Sequence, residues 1–217
     1  MCAHFFLNNL KKLLFIIPDQ LYFFMKAVIL LGTLKKEGLS NTETLAEFFA
    51  GRLQKQGIEY EIIKLVNKNV LPGTYHDMGP GDDWPAILQK ITDAGMVIFA
   101  TPVWWGGHSS EIQKVIERLD KVHDEILAGM ESRLADKGAG ILITGDSDGA
   151  QHIIGNLCNF LNAVGVIVPP YGALSVLWEG QKKEATTTKE ELMKKYEGEY
   201  TETADTMISQ LSRFAGK

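Results

Sequence analysis

Hydrophobic positions along this chain switch regularly between two periods. KAVILLG (26–32) is an uninterrupted apolar run ending in glycine, the pattern of a strand covered on both faces. NTETLAEFFAGRLQKQG (41–57) then carries apolar residues at 45, 48, 49 and 53, with Asn41 as a cap candidate and Gly57 just past the end. That spacing predicts an amphipathic helix with both start and stop signals. The alternation continues. EYEIIKLV (59–66) reads as strand, WPAILQKITDA (84–94) as a short helix, GMVIFATP (95–102) as a buried strand and SSEIQKVIERLDKV (109–122) as a helix. GAGILITG (138–145) and AQHIIGNLCNFLNAVG (150–165) form the fourth strand–helix pair. VIVPPYGALSV (166–176) supplies a last strand, weakened by Pro169 and Pro170, and a long helix closes the chain after the charged stretch EGQKKEATTTKEE.

Strands alternating with helices predict βαβ units, a parallel sheet and right-handed crossovers that place helices on both faces. Five strands with five helices make a three-layer, doubly wound α/β domain. In such sheets ligands bind beyond the carboxyl ends of the strands, where the strand order reverses. The chemistry is therefore expected in the loops after strands one, three and four. Residues 67–83 form a Pro/Gly/Asp-rich connection, longer than usual, and a candidate lid or dimer contact over that edge.

Composition narrows the class. At 217 residues the chain fits one large domain. A net charge of −5 gives no support to nucleic-acid binding, which needs a basic patch or stripe. The two cysteines, Cys2 and Cys158, match no metal-ligand spacing and fit a reducing cytoplasm better than a disulfide scaffold. The histidines (His4, His76, His108, His123, His152) form no paired motif, so no metal site is expected. Residues 1–24 hold the short apolar run LLFII between Lys-Lys and Pro18-Asp19, too short to span a bilayer and a poor secretory signal. They read either as an extension upstream of a true start at Met25 or as an N-terminal helix packed on the body or a partner; residues 25–217 read as one domain.

Three loops carry the candidate chemistry. GTLKKEGLSNT (32–42) leads into the first helix, whose N-terminus favours an anion. Thr33, Ser40, Asn41 and Thr42 add side-chain donors, and Lys35 and Lys36 add charge. Neither GxGxxG nor a Walker A pattern is present, which disfavours a dinucleotide fold and a P-loop NTPase. An ordinary capped helix would use the same residues. TPVWWGG (101–107) projects from strand three; Trp104 and Trp105 could flank a planar ring, or pack on a neighbouring helix or partner subunit. TGDSDGA (144–150) offers acceptors and a cap for the fourth helix through Asp146, Ser147 and Asp148. A phosphate loop, a flat-ring loop and a polar loop at one edge describe a mononucleotide, and FMN fits.

GTLKKEGLSNT resembles the G-S-x-R-K…N-T phosphate loop of flavodoxin-like NAD(P)H-dependent FMN reductases, and DDWPAILQKITDAGMVIFATPVWWGGHSSEIQKVIERLD (82–120) is similar to their D-D-M…T-P-V-Y-W-G…I-D-R segment. The resemblance runs from Met25 to about residue 175. It implies a flavodoxin-like sheet of order 2-1-3-4-5, non-covalent FMN, NADH or NADPH as hydride donor, a small-molecule acceptor, and a homodimer or homotetramer. Carried over, Thr33, Lys35, Asn41 and Thr42 would hold the phosphate. Pro102, Val103, Trp104, Trp105 and Gly106 would line the isoalloxazine, and Thr144, Gly145 and Asp146 would close its far side. Apart from the resemblance, His108 could touch the flavin edge or be a surface or helix-capping histidine. The flavin would carry the chemistry, and no side chain is assigned as a nucleophile. Lys35 stands where arginine is common, which loses bidentate contact but keeps charge. Trp104 replaces a usual tyrosine, and 67–83 lacks the cysteines of the family's iron–sulfur branch, which excludes a [4Fe–4S] centre. The rival is a flavodoxin-type electron carrier; those resemble this chain in fold but use a T-x-T-G-x-T loop without cations and are more acidic.

Overall fold

The computed structural model describes residues 25–215; the N-terminal segment treated above lies outside them. Five parallel strands run in the order β2-β1-β3-β4-β5. They are β1 Lys26–Leu31, β2 Glu59–Lys64, β3 Met96–Pro102, β4 Gly138–Gly145 and β5 Ala173–Leu177. The helices are α1 Asn41–Lys55, α2 Trp84–Asp93, α3 Ser110–Leu127, α4 Ala150–Ala163, α5 Lys189–Glu199 and α6 Thr201–Phe214. Short 3-10 turns occupy Leu65–Asn67 and Glu179–Gln181.

Period-two alternation in continuously apolar strands divides the core in two. Ala27, Ile29 and Leu31 of β1 join Met96, Ile98 and Ala100 of β3 in the cluster containing α1, α5 and α6. Val28, Leu30, Val97 and Phe99 face the opposite cluster, with α2, α3 and α4. Nearly every one of these side chains is fully buried, and each such Leu, Ile or Phe contributes about 1.5–3 kcal/mol. β4 carries glycines where α6 crosses it. A Cβ on Gly140 would lie 2.5 Å from Met207 Cε, and one on Gly138 would lie 3.0 Å from the Leu211 carbonyl oxygen.

Two expectations needed correction. The last strand begins at Ala173, not 166, because Pro169 has no N–H for the ladder and Tyr171 adopts φ 60°. Residues 166–172 keep only a bridge between Ile167 and Gly138. The closing helix is two helices. Tyr200 leaves helical angles (φ −121°, ψ 2°), so α5 packs on α1 while α6 turns beneath β4.

Candidate functional site

Because β2 and β3 lie on opposite sides of β1, the strand order reverses at β1, the point at which a doubly wound sheet places its ligand crevice, between the loops leaving β1 and β3. Gly32 N donates to Ala100 O at 2.8 Å and ties the two exits together. A Cβ there would meet Ile112 Cγ1 at 2.5 Å and Ser109 Oγ at 2.7 Å, so the β1 exit lies flush against the start of α3.

The β1 loop is closed at its base and open at its rim. Ser40 is the extended N-cap of α1, its hydroxyl accepting from Glu43 N at 3.2 Å and donating to Thr33 Oγ1 at 2.8 Å. Thr33 also accepts from Lys35 N at 3.3 Å. Both hydroxyls are buried, whereas Leu34 through Leu39 are exposed. Lys35 folds back across the loop, donating from Nζ to Leu39 O at 2.8 Å. The first N–H groups of α1 have no intrahelical acceptor, so unpaired donors, the positive dipole end and two lysines lie together at this edge, an arrangement that favours an anion. Thr42 is turned inward, its hydroxyl 2.6 Å from that of Thr144, both buried. Asn41 Nδ2 donates to Gln181 O at 2.9 Å.

Opposite, the β3 loop makes a miniature hairpin. Trp104 and Gly107 exchange N–H···O bonds of 2.8 Å, and the two residues between them have positive φ, Trp105 at 49° and Gly106 at 76°. This is type I′ geometry. Glycine suits it; a tryptophan there is held against its own preference. Trp105 projects fully into solvent, and Trp104 is about half exposed (47%). Below the hairpin, Val103 N donates to Thr144 O at 2.8 Å. Thr101 Oγ1 accepts from Ser109 N at 2.9 Å and donates to Pro102 O at 3.0 Å, which fixes the loop to the N-cap of α3. His108 is half-buried, with an Nε2 that has no hydrogen-bond partner. Burial first, and His152 second, lower its pKa below the usual histidine value.

The β4 loop differs from expectation. The N-cap of α4 is Gly149, left-handed at φ 110°, without a side-chain cap; Asp146, Ser147 and Asp148 stand exposed instead, Ser147 Oγ donating to Asp146 Oδ1 at 3.2 Å. Steric contact explains the glycine: a Cβ at 149 would sit 2.8 Å from Gly106 Cα, so the β3 loop and the start of α4 touch backbone to backbone. Gly145 is similarly tight, its Cβ position 3.1 Å from Val103 Cγ2. Its N–H donates to Gln181 Oε1 at 2.9 Å and its carbonyl accepts from Trp178 N at 2.9 Å. Gln181, which no local pattern singled out, is buried and donates from Nε2 to Tyr196 Oη at 3.0 Å.

The long connection after β2 runs away from this crevice. His76 Nε2 lies 2.8 Å from Glu125 Oε1, in the last turn of α3, about 22 Å from that helix's N-terminus at 1.5 Å per residue. Its base is pinned by Asp82, which accepts from Arg118 Nη2 at 2.6 Å, Met78 N at 3.0 Å, Trp84 N at 3.1 Å and Leu71 N at 3.3 Å. The lid expectation fails on this anchoring. The thirteen residues expected to bind do gather at one edge, but Thr42, Thr144 and Gly145 direct their polar groups to one another and to Gln181.

A family model described as NADPH-dependent FMN reductase matches residues 25–177. The chain is 30% identical over 159 residues to 8-demethyl-8-aminoriboflavin-5'-phosphate synthase of Streptomyces davaonensis, a match covering 69% of this chain and 62% of that protein. It is 29% identical over 151 residues to the divalent metal cation transporter MntH of Mycobacterium bovis, covering 67% of this chain and 22% of that one. The chain thus spans less than two thirds of the length of these curated relatives. The crystal structure of RosB with bound 8-demethyl-8-formylriboflavin-5'-phosphate superposes with a TM-score of 0.68 at 25% identity, covering 88% of this chain and 78% of that one.

Proposed function

This chain belongs to the NADPH-dependent FMN reductase family, and from that premise we propose that it binds FMN and takes hydride from NADPH or NADH to reduce a small acceptor, a quinone, flavin or nitro or azo compound. One observation carries the reading: the capped start of α1, with Lys35 and Lys36 in the loop before it, and the Trp104–Gly107 hairpin follow the neighbouring strands β1 and β3 at the point where the sheet reverses.

The residues present suit the group. The phosphate end matches an outward-pointing helix N-terminus with Lys35 and Lys36 above it, and the ring end matches a turn whose indoles are exposed and whose backbone is glycine-lined. His108 Nε2, buried without a partner, is a polar atom left over at that end. When bound, FMN supplies the hydride chemistry. Ser40 and Thr33 hold the phosphate loop in one shape, Lys35 neutralises phosphate charge, and Pro102 and Val103 set the height of the hairpin. His108 stays uncharged at neutral pH and offers a polar edge without repelling a cationic nicotinamide. The exposed Trp104 and Trp105 also suit a second copy of the chain, in a homodimer or homotetramer.

Anaerobic mixing with NADPH or NADH should bleach the long-wavelength flavin band of the FMN-loaded protein within seconds. Reduction that needs a separate reductase would make the protein a flavodoxin-type carrier; failure to take up FMN would remove both readings. The likeness to the Streptomyces synthase supports a second reading, in which a riboflavin phosphate is substrate. Mass spectrometry of the flavin recovered after turnover separates them: unchanged FMN supports the reductase, an altered ring the synthase-like activity.

A further inference from the structure

The family match ends at residue 177, yet the segment beyond it grips the site. Gln181 bonds to three elements at once. Its Oε1 accepts from Gly145 N at the end of β4, its main-chain carbonyl accepts from Asn41 Nδ2 at the start of α1, and its Nε2 donates to Tyr196 Oη. Tyr196 is fully buried in α5, and its hydroxyl donates at 3.4 Å to Asn41 O. Trp178 N adds a bond to Gly145 O, so both polar groups of that peptide are held from the C-terminal side. Gly145 in turn abuts Val103 at the root of the hairpin.

Building on the FMN site proposed above, we propose that Gln181 is a positioning residue that couples the phosphate-side and ring-side halves of the flavin site through Asn41 and Gly145. A buried carboxamide suits this task. Gly145 N–H can only donate, so a flip would set the carboxamide nitrogen against it, and Tyr196 Oη would have to give up Asn41 O to donate to the carboxamide oxygen. Asn41 is likewise held in one amide orientation, which leaves its second Nδ2 hydrogen aimed consistently beside the helix N-terminus. Losing the brace frees the two loops to move relative to each other, so a ligand bridging both must order them on binding. Deleting the whole segment is no test, because Leu192, Tyr196, Met207 and Leu211 belong to the core.

The test uses the full chain with Gln181→Ala, Gln181→Glu and Tyr196→Phe, read by FMN titration, by the position and fine structure of the bound flavin's absorption band, and by melting of the FMN-free protein. Wild type first establishes whether FMN binds; no binding there overturns the site itself, not the coupling. With a binding wild type, Gln181→Ala should weaken FMN about tenfold and shift the band, while Gln181→Glu, which restores an acceptor for Gly145 N–H, recovers part of both. Tyr196→Phe should weaken FMN less than Gln181→Ala. Wild-type affinity and spectrum in folded Gln181→Ala overturn the coupling. If Gln181→Ala does not fold, the decision passes to Gln181→Glu and Tyr196→Phe: unaltered spectra in both overturn it. An affinity loss matched by lower melting, with an unshifted band and no rescue by glutamate, also overturns it in favour of a purely structural contact.

Discussion

Two loops of this protein look alike on paper and do opposite things. Residues 32–40 and residues 68–83 are both polar, glycine-bearing connections leaving neighbouring parallel strands at the same edge. In the first, buried hydroxyls of Thr33 and Ser40 close the base while the rim and the helix N-terminus stay open. In the second, most polar groups bond within the protein: Asp82 takes four donors, Arg118 Nη1 donates to Leu71 O, Asn69 bonds Gly81 and Asp83, and His76 Nε2 pairs with Glu125, while His76 Nδ1 is buried without a partner. Composition does not distinguish the two loops; where their polar groups point does.

The comparison breaks most forcefully at Arg118. Its guanidinium and the Asp82 carboxylate are buried (side-chain exposures of 1% and 0%), and it lies 5.7 Å over the Trp84 ring. Arg118→Met leaves a buried carboxylate unpaired and should cost about 3–5 kcal/mol in urea unfolding, with FMN affinity of the folded protein unchanged. Burial alone would raise the Asp82 pKa, but Arg118 and the backbone donors hold it below the ordinary aspartate value. A carboxyl whose folded pKa is depressed contributes stability above its unfolded value, near 3.8, and loses it as pH falls through the lower folded one. Wild type should therefore show an acid limb in this range that Arg118→Met flattens. A large loss of FMN affinity in the folded variant would return the 68–83 loop to the binding site.

Much of this contrast was legible beforehand, and the illegible part has a common cause. Continuous apolar strands and amphipathic helices announce themselves through period, and five of them in alternation leave one topology in which the loops after β1, β3 and β4 share an edge. Local chemistry also located the Trp104–Gly107 turn, but it put the cap of the first helix at Asn41, one residue past the Ser40 that caps α1, because both residue types favour that position and only the hydroxyl bond to Glu43 N separates them. What no window could display were pairings across the fold: Thr42 with Thr144, Arg118 with Asp82, Gln181 with Asn41, Gly145 and Tyr196. Each decides whether a polar group faces ligand or protein, and Gln181 sits in a charged, aperiodic stretch that carries no signal. The glycine cap of α4 was missed for a related reason, since the residue is dictated by Gly106 pressing on it from another loop.

The open loop is probed next. Lys35 is exposed and its ammonium donates to Leu39 O, so Lys35→Ala should leave melting unchanged while weakening FMN about tenfold, a loss appropriate to one charged hydrogen bond. The difference from wild type should shrink as salt screens the charge. Ser40→Ala should act on both axes, costing about 1 kcal/mol as a lost N-cap and weakening FMN through the unsupported Thr33. If Lys35→Ala lowers stability and spares FMN, loop 32–40 is a structural loop after all, and the distinction drawn between the two connections disappears.

The smallest effect belongs to His108, at the ring side. Burial and His152 depress its pKa below the ordinary value near 6.5, so at neutral pH it is uncharged in the folded and mostly uncharged in the unfolded chain. As pH falls through the unfolded value, the unfolded chain takes the proton first and stability declines; the decline ends once pH has passed the lower folded value. The sign is the same as for Asp82, but the window lies higher, because the parent group is a histidine. His108→Gln keeps a polar edge and cannot titrate, so its stability should stay flat where the wild type falls. FMN bound over the ring loop, with His108 beneath its edge, should restrict access to the imidazole further, lower its folded value and extend the wild-type decline to lower pH. An identical decline with and without FMN places His108 away from the flavin and leaves the orphaned Nε2 a feature of packing between the starts of α3 and α4.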